Sequence, residues 1–418
     1  MATRVFITGI GAMTPVGNTR QEFWQSLVAG RSGIARLETI DVSDLPITIG
    51  GEVRGVDFTR ADVNDKVSHR KMDRASIFAV LAAGEALADA GFQPGQSDLG
   101  ENVAAVIGSG LSGLATLQQQ TENLLSKGAR GVSAFTIPIL MPNAPPANIS
   151  LAYGITGPCY SVASACSSSG HAMIDAFEMI RRGDVDVVVT GGTESSLTRL
   201  GISAFANMRA MTKKFNDRPQ AACRPFELDR DGFIMSEGAA ILVFESEESL
   251  SRRGGRAYAE MVGWGTTMDS YHLVQPDPSA KGAIAAMRKC LAMARWSPAE
   301  IAGHTYINAH GTGTKFNDLM ETVAIKEVFG ESARRVQISS TKSETGHMIG
   351  AACAAEMAAS ALALQAGVLP PTINYDTPDP ECDLDYVPNE ARPASAGFAL
   401  NNSFGFGGHN VCLALKKV

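Results

Sequence analysis

Residues 162–183 read VASACSSSGHAMIDAFEMIRRG, and the reading of this stretch decides the fold. Small residues open it and place Cys166 among them. Apolar residues then recur at Ala172, Ile174, Ala176, Phe177, Met179 and Ile180, a spacing that predicts a largely buried helix. Arg181, Arg182 and Gly183 supply its C-terminal stop. Cys166 is therefore expected where a turn feeds a helix N-terminus. Unpaired N–H groups and the positive end of the helix dipole favour a thiolate there. Ser167, Ser168, Ser169 and Gly170 keep the turn tight and allow a substrate to approach closely. A buried structural cysteine is the competing reading of the stretch alone.

The surrounding composition narrows the choice. The chain has 418 residues, 45% of them hydrophobic, enough for two domains or one large α/β body. A net charge of -7 argues against a general nucleic-acid surface. The 7 cysteines are odd in number, form no CxxC pair and show no zinc spacing with histidine. They predict a reduced, cytoplasmic protein without a metal site. The most apolar tract, Met348 to Leu364, carries Glu356 and is short for a bilayer span, so it is expected to be a core helix. The opening MATRVFITGIG goes directly into a strand-like run and lacks a signal-peptide h-region. Membrane insertion is not expected.

Strand-like runs alternate with helical patterns along the chain, which predicts a mainly parallel sheet. Arg4 to Thr8 enters GIGAMTPVG, Asn102 to Ile107 enters GSGLSG, Asp184 to Thr190 enters GGTES, and Ala239 to Phe244 closes the series. The theme then recurs. Tyr258 to Val262 enters GWGTTMDS, His304 to Asn308 enters AHGTGTKFND, Val336 to Ser340 enters TKSETGH, and Gly397 to Asn402 enters SFGFGGHN. The charged connector SLSRRGGR separates the two series. Two related α/β halves are expected, residues 1–250 with Cys166 and residues 251–418 with His310, His347 and Lys342, their loops meeting at one site.

GSGLSG fits the GxGxxG pattern but lacks the following strand and acidic residue of a dinucleotide site, and no GxxxxGK[ST] loop is present. It is read as a glycine turn beside a pocket. Three other segments place polar residues in apolar settings: INAHGTGTKFNDLME, STKSETGHMIGAACAAEM and NNSFGFGGHN. A single histidine at a strand end is usually structural, but these three loops together with the Cys166 turn are hard to explain that way.

Taken together, these motifs resemble the β-ketoacyl-acyl carrier protein synthases, the elongating condensing enzymes of the thiolase superfamily. SACSSSGHA, NAHGTGT, STKSETGH, RPFELDRDGF and NNSFGFGGHN carry the resemblance in order and spacing over essentially the whole chain. It implies a thiolase-like α/β fold of duplicated halves in five αβαβα layers. It also implies a homodimer, or a heterodimer with a chain-length factor homologue. The implied reaction is decarboxylative condensation of an acyl chain with malonyl-acyl carrier protein. No cofactor is implied, because the substrates ride on the carrier's phosphopantetheine. Cys166 resembles the acyl-accepting nucleophile, and His310 and His347 resemble the pair that drives decarboxylation. Lys342 resembles the charged residue that supports them, and Glu321 and Glu356 match bracing acids. Phe406 resembles the gate whose backbone N–H completes the oxyanion hole with that of Cys166. Thr312 and Thr314 fit pantetheine contacts. Leu111, Phe205 and Phe233 match acyl-pocket positions, and Thr136 matches one that lines the other subunit's pocket. Carrier-protein contacts are implied at Arg70, Lys71 and Arg74, at Lys127 and Arg130, and at Lys213 and Lys214.

The chain departs from the pattern at Glu344, where methionine is common, and at Val274, Cys353 and His409. Glu344 is expected to alter the charge balance beside Lys342. Two rivals stand. A thiolase would need a second catalytic cysteine in the last third, and Cys353, Cys382 and Cys412 are available without the usual Cys-Gly loop. A non-catalytic chain-length partner would lack Cys166.

Overall fold

The computed structural model describes residues 3–93 and 99–418. Ten strands carry the fold: β1 (Val5–Met13), β2 (Val103–Gly108), β3 (Cys159–Val162), β4 (Val187–Glu194), β5 (Gly238–Ser246), β6 (Ala259–Met268), β7 (Thr305–Asn308), β8 (Gln337–Ser339), β9 (Phe398–Gly405) and β10 (His409–Lys417). In space the first five run β3-β2-β4-β5-β1 and the last five run β8-β7-β9-β10-β6. β2 is parallel to β3 and β4, and β5 is antiparallel to β4 and β1. β7 is parallel to β8 and β9, and β10 is antiparallel to β9 and β6. Adding five to each strand number converts one set into the other, directions included. The two sets join where β1 and β6 pair between Val5–Ile7 and Ala259–Met261.

The sheet is thus mixed, where the alternating pattern predicted a mainly parallel one. β9 returns to β10 through the short turn after Gly405, and so short a link gives only an antiparallel neighbour. Several glycines read as loop markers also prove to lie inside strands. A Cβ on Gly9 would sit 2.0 Å from the Ala86 carbonyl oxygen, and one on Gly11 would sit 1.9 Å from that of Ala82. Both carbonyls belong to α1 (Arg74–Asp89), whose backbone rests on β1. In the second half Gly265 meets the Ala286 carbonyl at 2.0 Å in the same way. These glycines let a helix backbone lie directly on a strand.

Strand residues alternate between two apolar layers. Ala104 and Val106 of β2 face a central core with α5 (Ser168–Arg182) and α9 (Ala352–Ala366). Val103, Ala105 and Ile107 face an outer core with α1 and α4 (Ala144–Tyr153). Ile307, Ile338 and Leu400 face the opposite outer core with α6 (Lys281–Ala294) and α7 (Lys315–Phe329). The central pair of helices therefore lies between the two half-sheets, with a helical layer outside each. α2 (Leu114–Lys127) and α3 (Thr136–Leu140) lie on the surface, and α8 (Lys342–Thr345) is a single buried turn.

The opening stretch folds as its spacing predicts. α5 ends at Gly183 with φ 79°, whose N–H donates to the Ile180 carbonyl. The apolar tract Ile349–Ala366 is long and apolar enough to cross a membrane by composition, yet it is 89% buried between the sheets.

Candidate active site

The repeat places the two central helices so that the turns leading into them face each other. Cys166 lies in the turn Ala165–Ser167 before α5. His347 lies between α8 and the turn Ile349–Ala351 before α9. His310 lies just beyond the end of β7. Cys166 Sγ and the ligand-type nitrogens of both histidines lie within 4.8 Å of one another. Cys166 is 6% exposed and the histidines 3%, at the floor of a cavity of about 620 Å³.

The hydrogen bonds decide which ring nitrogens carry protons. The Ile349 N–H donates to His347 Nδ1 at 3.2 Å, and His347 Nε2 lies 3.0 Å from Cys166 Sγ. With Nδ1 accepting, Nε2 is the protonated atom and points at the sulfur. Lys342 Nζ lies 3.4 Å from His310 Nδ1 and donates to the His310 carbonyl at 2.6 Å. Lysine has no lone pair to offer in its ammonium form, so His310 also presents Nε2–H to the site. Of the three groups that could ligate a metal by composition, the two histidines are therefore arranged as hydrogen-bond donors, one of them toward the sulfur of the third. Burial, reinforced by Lys342 and for His310 by His347, holds both imidazoles well below the usual histidine range, so both rings are neutral at pH 7.

The thiol differs from the expectation at its helix N-terminus. Burial pushes Cys166 up to about 11, although the Phe406 and Cys166 N–H groups and Lys342 pull it back. Desolvation outweighs the dipole because the sulfur lies at the cavity floor and not at an exposed helix end. The same two N–H groups converge on the sulfur.

Glu321 and Glu356 contact backbone N–H groups and lysine respectively. Glu321 accepts from the N–H groups of His310 at 2.9 Å and Gly311 at 2.8 Å, and from Asn402 Nδ2 at 3.1 Å. Glu356 makes a close contact with Lys342 Nζ. Burial pushes both carboxyls up to about 7. Thr312 and Thr314 line the cavity, their hydroxyls 3.1 Å apart. Phe205 stacks edge-on to Phe233 at 5.5 Å, and Phe233 meets His347 at 5.5 Å. Leu111, Val274 and Phe406 also line this space. Thr136 opens the surface helix α3 and lies outside this chain's cavity.

Cys166 is the one cysteine on the cavity wall among the described residues. Cys353, Cys382 and Cys412 are buried elsewhere, and burial pushes all three thiols up. This removes the thiolase pairing. The GSGLSG turn has no N–H free for a phosphate at Gly110 or Leu111, since both donate to Glu194.

Glu344 stands beside Lys342 as a buried departure from the family pattern. It is fully buried, Oε2 shares a hydrogen bond with the Ser343 hydroxyl at 2.6 Å, and Oε1 has no partner. Burial raises its carboxyl well above the usual range, which favours the neutral form beside Lys342. An unsatisfied buried polar atom destabilises by ~1–3 kcal/mol. Glu344→Met is expected to stabilise the fold by about that much at neutral pH. The sign with pH follows from the raised value. Wild type loses stability from the unfolded glutamate range upward, as only the unfolded chain ionises. The gap between Glu344→Met and wild type should therefore widen from pH 4 to pH 7 in urea unfolding, and a constant gap would contradict a raised Glu344 carboxyl.

Of the surface cations, Arg70, Lys71, Lys127, Arg130, Lys213 and Lys214 are exposed, and Lys71 sits 5.0 Å over the Phe135 ring. Arg74 is committed elsewhere: it grips both oxygens of buried Glu237 at 2.8–2.9 Å through Nε and lies between Phe58 and Phe78. It is a structural residue and not part of a docking face. Two exposed cations at the cavity mouth, Arg209 and Lys315, were not anticipated. Neither lies in a cluster, so the sequence carried no signal for them.

Comparison with known proteins agrees with this geometry. Residues 2–249 match the model of the beta-ketoacyl synthase N-terminal domain, and residues 258–376 match that of its C-terminal domain. The chain belongs to the beta-ketoacyl synthase family. It is 43% identical over 418 residues to a 3-oxoacyl-[acyl-carrier-protein] synthase 2 of Staphylococcus aureus, covering 99% of this chain and 98% of the relative. Among solved structures it resembles the ishigamide ketosynthase/chain length factor, with TM-score 0.91, 32% identity and full coverage of both chains. It also resembles a ketosynthase solved in complex with a type II PKS acyl-carrier protein, with TM-score 0.90, 30% identity and full coverage of both.

Proposed function

We propose that this acyltransferase takes an acyl chain onto Cys166 and condenses it with malonyl-acyl carrier protein, releasing carbon dioxide and β-ketoacyl-acyl carrier protein. The observation that carries the reading is the pair of Nε2–H donors converging beside a cysteine at the cavity floor. Cys166 sulfur attacks the acyl thioester, and the carrier thiol leaves with the proton the cysteine gives up. The malonyl thioester then loses carbon dioxide, and the electron pair passes to the thioester oxygen. His310 and His347 hold that oxygen without surrendering a proton, because each is a neutral donor. The enolate carbon attacks the acyl-cysteine carbonyl, whose oxygen sits at the Phe406 and Cys166 N–H groups, and collapse expels the cysteine sulfur. Lys342 fixes the His310 tautomer, Glu321 and Glu356 hold His310 and Lys342 in place, and Thr312 and Thr314 meet the pantetheine arm. Leu111, Phe205 and Phe233 receive the acyl chain. An extension assay with acyl- and malonyl-carrier protein over a range of chain lengths, read by mass spectrometry, tests the reading. Absence of a two-carbon-longer β-keto product at every length would refute it.

The working unit in this reading is a cytoplasmic homodimer, or a heterodimer with a chain-length factor homologue. Residues 1–250 carry the nucleophile and 251–418 the histidines and lysine. Two features support a second copy. Among the described residues, β3 is a sheet edge paired with β2 on one side only. Beside it, Leu124, Leu125, Phe135 and Ile137 on and between α2 and α3 are 47–82% exposed, with Thr136 among them. Thr136 would then reach the partner's acyl pocket.

The carrier protein would dock through Arg70 and Lys71, with Lys127, Arg130, Lys213 and Lys214, toward Arg209 and Lys315 at the mouth. Toward an acidic carrier protein, as the family resemblance implies, the net charge of -7 gives no attraction by the whole molecule, so a local basic face is needed. Reversing Arg70 and Lys71 to glutamate is expected to lower kcat/KM for acyl-carrier protein. The loss should shrink as salt rises, because exposed charges are screened over ~10 Å at 0.1 M. A small acyl-thioester mimic should react at the wild-type rate. Equal losses on both substrates would contradict docking there.

A further inference from the structure

The internal repeat points to a residue that the chemistry above does not use. The turns Ala165–Ser167 and Ile349–Ala351 are counterparts, each leading into a central helix. Each opens on a non-glycine residue in the left-handed region, Ala165 at φ 52° and Ile349 at φ 46°. Such strain persists only where surrounding contacts impose it, above all for a β-branched side chain. By this correspondence Gly350 stands in the second half where Cys166 stands in the first. Strand register gives a second match. Val187 pairs with Val103 as Phe398 pairs with Thr305, so Glu194 at the end of β4 is the counterpart of Gly405 at the end of β9.

The two matched pairs touch in the same way. A Cβ on Gly405 would lie 3.2 Å from the Cys166 nitrogen. Glycine there leaves the N–H-lined space open for a substrate oxygen. In the other half Glu194 fills the corresponding space, and its Oε2 accepts from the Gly350 N–H at 3.3 Å. The same oxygen accepts from Gly110 at 2.8 Å and Leu111 at 3.1 Å, and Oε1 accepts from the Ser196 hydroxyl at 2.8 Å. Glu194 is fully buried. Its partners are the Gly110–Leu111 wall of the acyl cavity and the turn whose Ile349 N–H sets the His347 tautomer.

We propose that Glu194 is a positioning residue for condensation, locking the acyl-cavity wall and the His347 turn together from the blocked twin of the oxyanion site. This rests on the condensing reading given above. Glu194→Ala leaves three N–H groups facing a void, and misplacing a site by about 1 Å lowers rates on the order of 10²-fold. Glu194→Ala is therefore expected to lower kcat/KM for acyl transfer by ~10–100-fold. It should also flatten the acyl chain-length preference and speed amide exchange at Gly110, Leu111 and Gly350. Glu194→Gln offers an acceptor oxygen to the same N–H groups and should restore most of the activity and the preference. If Glu194→Ala does not fold, Glu194→Asp, shortened by one carbon, takes its place with the same expected losses. A folded Glu194→Ala with wild-type rates and preference overturns the proposal, as does a Glu194→Gln as impaired as Glu194→Ala. Wild-type condensation measured alongside separates the two failures. An inactive wild type refutes the functional reading, whereas an active wild type matched by Glu194→Ala refutes the positioning role.

Discussion

Cys166→Ala is expected to remove acyl loading altogether and to lower condensation by roughly 10⁴-fold or more, as loss of a nucleophile does elsewhere. No other cysteine can substitute. Of the seven, Cys166 lines the cavity, Cys159 lies on the exposed edge strand, and the other five are buried away from it. Cys166→Gln should separate the two half-reactions. The amide cannot accept an acyl group, but His310 and His347 keep their neutral Nε2–H donors, so malonyl decarboxylation should continue without condensation. Carbon dioxide release by this variant, measured against carrier-protein products, checks the division. Loss of decarboxylation in a folded Cys166→Gln protein would mean that the histidines do not act independently of the thiol.

The histidine variants should show the reverse pattern. Removing one well-placed donor typically lowers the rate by ~10²–10³. His310→Ala and His347→Ala should each lose about that much in decarboxylation. Both should lose less in acyl loading, which depends on the sulfur and the Phe406 and Cys166 N–H groups. His347 lies 3.0 Å from the sulfur, so His347→Ala should disturb loading more than His310→Ala. Acyl-enzyme formation followed by intact mass, beside carbon dioxide release, reads both quantities. Near-normal decarboxylation in either variant would contradict a shared enolate oxygen.

The Cys166 helix, its stop at Gly183 and the two-part layout were legible because helical periodicity and strand runs are local signals. The sheet's mixed direction was not, because direction depends on where each return lands. The in-strand glycines misled for a physical reason. Gly9, Gly11 and Gly265 look like turn residues in sequence, but each is small because a helix backbone rests on it. At the site, the residues that touch the reaction carry chemical signatures in sequence. Their ionisation does not, as burial is the largest influence that pushes Cys166 up to about 11 and raises the Glu344 carboxyl. Glu194 escaped notice because its role exists only between two loops 240 residues apart, measured from Gly110 to Gly350.

The most direct test of the central claim is intact-mass analysis of the wild-type enzyme, first with acyl-carrier protein and then with malonyl-carrier protein. The account predicts one acyl adduct per chain, mapped to Cys166, that disappears on malonyl addition as one carbon dioxide and one β-ketoacyl-carrier protein appear. A stable adduct on another cysteine, or product formed without carbon dioxide, would contradict it.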